Sequence, residues 1–165
     1  MDTLVKKAQR GDAEAFISLI EECRMTLRRV ALGYLGNDED VADAIQDTIL
    51  AAYEHIGSLK KEEYFKTWLV RILINHCTKI YRANKRNVGL EQDCATENCD
   101  TGNADVEFRE LLQSLPEDSR VIFQLYFGEQ FTTREIASIL GMKENTVKSR
   151  LHRGKEQLRA QLQQG

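Results

Sequence analysis

The chain has 165 residues and a net charge of -3, from 23 Lys or Arg against 26 Asp or Glu. That length allows one domain or two small ones, and a single proline and ten glycines among abundant helix formers exclude a strand-rich fold. Residues 1–30 carry charge throughout without an apolar signal core, and no stretch reaches the roughly 18 apolar residues of a membrane span, so a soluble, cytosolic, all-α protein is expected.

The first helical pattern starts at Asp12, a suitable N-cap, and keeps one apolar stripe through Phe16, Leu19, Ile20, Cys23, Leu27, Val30, Ala31 and Tyr34. Gly36 and Asn37 end it. A second runs from Asp38 through Val41, Ala44, Ile45, Thr48, Ile49, Ala52, Tyr53 and Ile56 to Gly57. After a polar loop, Ser58 to Glu63, a third passes through Phe65, Trp68, Leu69, Ile72, Leu73, His76 and Ile80 and becomes basic towards Arg86. From Asn87 to about Asn103 the period gives way to Gly, Asn, Asp and Thr, which reads as a flexible linker. Beyond it Val106, Leu111, Leu112 and Leu115 indicate a short helix. Pro116 sits where a first turn tolerates it, ahead of a helix through Val121, Ile122, Leu125, Tyr126 and Phe127 that closes at Gly128.

Phe131 to Gly154 then reads as a helix-turn-helix. Thr132 caps a first helix with Ile136, Ala137 and Leu140 inward, Gly141 makes the turn, and Glu144 or Asn145 opens a second helix anchored by Val147 and Leu151. With those two inward, Lys148, Ser149, His152 and Arg153 face outward, as a major-groove reader requires. The helix continues past Lys155 to about Leu162.

Charge is segregated along the chain. Residues 36–54 hold Asp38, Glu39, Asp40, Asp43, Asp47 and Glu54 with no cation, while residues 65–90 hold Lys66, Arg71, Lys79, Arg82, Lys85 and Arg86 with no acid. Blocks of alternating sign point to several partner surfaces. Cations interleaved with Trp68, Asn75 and Tyr81 suit unpaired bases, which stack on rings while the backbone follows a cationic track. No nucleophile with base and orienting acid, no phosphate loop and no metal-ligand spacing is present, which argues against an enzyme, a metal or a cofactor. Cys23, Cys77, Cys94 and Cys99 lack C-x-x-C spacing and suggest neither disulfides nor zinc.

Three segments, EDVADAIQDTILAAY, YFKTWLVRILINHCTKIYR and FTTREIASILGMKENTVKSRLHRGKEQLR, closely resemble extracytoplasmic-function sigma factors in kind, order and spacing, and the likeness spans nearly the whole chain apart from the linker. It implies two small helical domains, residues 1–86 and 105–165, joined by a linker at 87–104 that threads towards the RNA exit path. The first domain would dock on the β′ clamp helices of core RNA polymerase through Asp43, Gln46 and Asp47. It would also melt the downstream promoter element with Leu59, Lys60, Lys61, Lys66, Trp68, Asn75, Lys79 and Arg82. The loop Leu59 to Glu63 would form the pocket for a base flipped from the non-template strand, and a flipped base needs such a pocket to repay its lost stacking. The second domain would read the duplex of the upstream element with Lys148, Ser149, His152 and Arg153, flanked by Thr132, Thr133 and Lys155, while its other face docks on the β flap. Leu59, where a larger aromatic is common, and Tyr53, where Trp often occurs, leave the preferred downstream bases open. The resemblance further implies a monomer held in the cytoplasm by an anti-sigma factor, often membrane-bound.

Two rival readings remain at this point. A stand-alone helix-turn-helix regulator would be a dimer on a palindrome, and an adaptor that imitates a sigma domain would bind core polymerase without opening a promoter.

Overall fold

A computed structural model describes the backbone of residues 1–87 and 110–164. Residues 88–109, which hold the expected linker beyond Asn87 with Cys94 and Cys99 as well as the expected helix residue Val106, lie outside the described residues. The described residues are helical without strands, and the chain divides into two compact units, Met1–Ala95 and Thr96–Gly165.

The first unit opens with a helix the periodicity did not announce, α1 (Asp2–Gln9). Eight residues are too few to be stable alone; burial of Val5 and Ala8 against α2 holds them in place. Gly11, at φ +97°, makes the left-handed turn into α2 (Ala13–Tyr34), whose Asp12 carboxylate accepts from the Ala15 amide at 3.1 Å. Asn37 caps α3 (Asp38–His55) in the same way, accepting from the Asp40 amide at 2.8 Å. Two short 3-10 turns, Ile56–Ser58 and Glu62–Tyr64, flank the following loop and lead into α4 (Phe65–Asn87). Helices α2, α3 and α4 pack on one another around Leu19, Leu27, Val30, Phe65, Leu69 and Leu73, all nearly inaccessible to solvent. Within the expected stripes, Ile20, Ile45, Ile49, Ile72, His76 and Ile80 are only partly buried. Tyr53 is turned out to the rim of the core, 56% exposed, with its ring edge-on to Phe16 at 5.2 Å.

In the second unit a helical turn at residues 110–113 contributes Leu112, and Leu115 follows it into the core. Pro116 is the N-cap of α5 (Glu117–Phe123), where a missing amide costs nothing. The last turn widens into a π turn, Gln124–Gly128, closed by the Glu129 amide on the Gln124 carbonyl at 3.1 Å. Then comes α6 (Thr133–Leu140), the left-handed Gly141 at φ +66°, and α7 (Glu144–Gln164). Ile136, Ala137 and Ile139 are the buried residues of α6; Leu140, expected inward, is only partly covered, because an eight-residue helix ending at Gly141 leaves its last side chain at the edge.

Candidate polymerase and nucleic-acid interfaces

Asp43, Gln46 and Asp47 all project from the solvent face of α3, with Leu50 at 58% exposure and Tyr53 on adjoining turns. The apolar members of that face escaped the sequence reading, which assigned Tyr53 to the core. The acidic run is also less uniform in space than in sequence. Asp40 accepts from the side-chain amides of Asn37 and Asn84, each at 2.8 Å, and so ties the start of α3 to α4. Asp38 lies 3.9 Å from the Arg28 guanidinium on α2, an exposed pair of small energetic weight. Asp43 and Asp47 are exposed, as are Glu39 and Glu54.

On α4 the helical period gathers Trp68, Arg71, Asn75, Lys79, Arg82 and Arg86 into a sector of about 80°, because their spacings of three and four nearly match whole turns. Arg71, Asn75, Lys79, Arg82 and Arg86 are exposed. Trp68 is half-buried, its ring 5.9 Å from that of Phe65, so it is neither pure core nor a free platform. Lys66 is not part of this strip: two positions from Trp68, it lies on the side of α4 facing α2, close enough for its charge to act on the Cys23 thiol. Tyr64, 50% exposed with the Lys61 ammonium 5.8 Å from its ring centre, stands at the head of the strip. It was missed because it falls just outside the amphipathic pattern.

The loop residues Lys60 and Lys61 are exposed, and Leu59 is partly buried. Its backbone is held from an unexpected quarter: Gln9, the last residue of α1, donates its side-chain amide to the carbonyls of Ile56 at 3.0 Å and Leu59 at 2.9 Å. Nothing local in the sequence pairs positions 47 and 50 residues apart.

In the second unit Val147 and Leu151 are buried, which leaves Lys148, Ser149, His152 and Arg153 exposed along α7. Asn145, also exposed, sits angularly among them on the first turn, and its amide is of the type that reads adenine. Two of the row have acidic neighbours: Lys148 lies 3.6 Å from Glu144, and His152 Nε2 lies 3.2 Å from Glu156. Arg150 is turned away towards the Met142 sulfur at 3.9 Å. Lys155, exposed and two turns beyond Lys148, lies over the rings of Tyr126 and Phe127, at 5.8 and 5.6 Å.

Thr132 and Thr133 each have a structural duty. Thr132 and Glu135 form a reciprocal capping box, at 3.1 and 3.0 Å, and the Thr133 hydroxyl donates to Glu144 at 3.0 Å, linking α6 to α7. Thr132→Ala should lower the stability of the second unit by about 1 kcal/mol. Chemical denaturation of this unit reads that loss, and an unchanged midpoint would mean that the box contributes nothing.

Burial pushes the Cys77 thiol up to about 12 and also raises that of Cys23, so both stay protonated and poorly nucleophilic at neutral pH. Among the described residues no group of three or more His, Cys, Asp and Glu is placed to hold a metal, and no helix is long and apolar enough to cross a membrane.

Comparison with known proteins accounts for both units. Residues 19–87 match the family Sigma-70 region 2, and residues 105–158 match Sigma-70, region 4. RNA polymerase sigma factor SigV of Bacillus subtilis (strain 168) is 30% identical over 162 residues, 96% of each chain. ECF RNA polymerase sigma factor SigW of the same organism is 28% identical over 176 residues, covering 96% of this chain and 94% of that one. Among solved structures, the sigma factor RpoE of Bartonella quintana, in complex with the anti-sigma factor NepR, superposes with a TM-score of 0.79 at 25% identity over 92% of this chain and 98% of that one. The two regions fall one in each unit and in that order, which a sensory domain fused to a helix-turn-helix does not account for. The chain belongs to the sigma-70 family of RNA polymerase sigma factors, in its extracytoplasmic-function branch.

Proposed function

We propose that this alternative sigma factor divides its work between residues 1–86, a core-binding and promoter-melting domain, and residues 105–165, an upstream-element reader, with 87–104 as the linker. Asp43, Gln46 and Asp47 on α3 meet the β′ clamp helices of core RNA polymerase. The loop from Leu59 and the α4 strip hold the opened non-template strand. Helix α7 enters the major groove of the upstream element with Lys148, Ser149, His152 and Arg153, and the second unit also meets the β flap. Catalysis belongs to the polymerase.

The observation that carries this reading is the α4 strip. An aromatic, an amide and four cations share one helix face next to a loop with two more lysines, a composition suited to unpaired bases and their phosphates. Lys66 stands apart from that face and is the weakest member of the downstream set. On the recognition helix the exposed row satisfies the geometry of a groove reader, while Glu144 and Glu156 compete with phosphate for Lys148 and His152.

Run-off transcription with core polymerase and the full chain on a library of promoter fragments, against core alone, tests the whole assignment. Specific starts that need the chain support it; sequence-specific duplex binding without transcription would overturn it. Arg153→Ala should cost about 1 to 3 kcal/mol of discrimination at one upstream base pair. The same panel of upstream variants reads it, and a loss spread evenly over all sequences would make Arg153 a phosphate contact instead.

The likeness to RpoE, solved with an anti-sigma factor, supports regulation of this chain by such a partner, which would cover its polymerase-binding faces. We place the chain in the cytoplasm as a monomer, near the membrane where its anti-sigma factor is membrane-bound.

A further inference from the structure

The helix α1 lies before the matched region that begins at residue 19, and no role attaches to it there. It is anchored on α2 by Val5 and Ala8, and its other neighbours are the two 3-10 turns at either end of the loop 59–61. At its C-terminal end Gln9 places both amide hydrogens: one on the Ile56 carbonyl at 3.0 Å, one on the Leu59 carbonyl at 2.9 Å. Those carbonyls bracket the turn Gly57–Ser58, which is itself closed by the Leu59 amide on Ile56 at 3.2 Å. Leu59 then leaves the turn with extended backbone, at φ -70° and ψ 119°.

A planar amide that donates twice to carbonyls three residues apart fixes the direction in which the loop departs. The Ser58 hydroxyl on the His55 carbonyl at 2.7 Å and the Tyr64 amide on the Lys61 carbonyl at 3.1 Å are bonds within the loop and its flanking turns, whereas Gln9 reaches the loop from a separate helix. A pocket built on such a loop takes its shape from that anchor, and base selection depends on donors and walls held to a fraction of an ångström.

We infer that Gln9 is a positioning residue that sets base selectivity in the Leu59–Glu63 pocket by bracing its backbone from α1. The inference rests on the proposed role of that loop in receiving a flipped base. Gln9→Glu keeps the size but turns the donor into an oxygen facing two carbonyls; Gln9→Lys keeps a donor of similar reach.

The test is run-off transcription with core polymerase and the full chain on promoters carrying each of the four bases at every downstream position, alongside core affinity and duplex binding to the upstream element. Gln9→Glu should reduce the ratio of best to worst base at the flipped position by about tenfold, leave the other two readouts unchanged, and be largely rescued by Gln9→Lys. Gln9→Ala, which leaves the carbonyls to water, should show a smaller loss of the same kind and serves where the glutamate variant does not fold. An unaltered ratio in both variants overturns the brace, as does a parallel fall in selectivity and core affinity in both. A wild-type panel that is flat across the downstream element overturns the pocket itself, and the brace with it.

Discussion

Asp47→Arg should abolish binding to core RNA polymerase while the chain keeps its wild-type melting curve. Asp47 is exposed on α3, beside Gln46 and one turn from Asp43, and no fold contact depends on it. Reversing its charge both removes an attraction to a cationic partner and places like charges together at a contact; such juxtapositions cost about 3 kcal/mol or more, well over a hundredfold in affinity. Asp40 would be a poor choice for this test, because its carboxylate holds the amides of Asn37 and Asn84 and its loss disturbs the packing of α3 on α4. Affinity for core, measured by fluorescence anisotropy at two salt concentrations, checks the expectation. Normal affinity of the arginine variant would remove α3 from the interface.

Gly154→Leu should destabilise the second unit by about 3 kcal/mol and leave the first unit untouched. Gly154 is buried on the inner face of α7, in register with Val147 and Leu151. A Cβ there would lie 2.3 Å from Phe123 Cε2 and 2.7 Å from Cζ. The ring cannot swing away freely: Phe123 is 2% exposed and backed by Phe127 at 5.4 Å. Glycine inside a helix costs about 1 kcal/mol relative to alanine, so the residue is tolerated for the close approach of α5 and α7 that it permits. Alanine would recover that propensity while meeting the ring, and leucine adds three further carbons where there is no space. Denaturation followed by amide exchange separates the two units. Equal protection of α5 and α7 in wild type and variant would show that the ring yields, and a partial rescue by Phe123→Ala would confirm the contact as the cause.

Much of this was legible in the chain itself. Apolar residues at steps of three and four outlined α2, α3 and α4, because one face of each helix must be covered and the helical period converts that need into spacing. Local stop and start chemistry was equally readable: Asp12, Thr132 and Gly141 do what their side chains or lack of one make them suited to do within four residues. The exposure of Lys148, Ser149, His152 and Arg153 followed from the inward placement of Val147 and Leu151. What escaped lies at longer range or in shorter pieces. Helix α1 is too short to show a period and exists through its packing. The π turn at Gln124–Gly128 has no simple signature, and Gly154 in a run of good helix formers marked only that something presses close there.

The sequence by itself determined the all-helical class, the main helices and their caps, and the charge blocks, since these depend on backbone propensity and on neighbours within a turn or two. Only the tertiary structure decided which charges act together. It joined Asp40 to Asn84 across 44 positions, set Lys66 apart from the strip to which it seemed to belong, and laid Lys155 on Tyr126 and Phe127. It also brought Gln9 to the loop at Leu59. Such pairings arise when packed helices bring distant faces within a hydrogen-bond length, and no local pattern records which faces will meet.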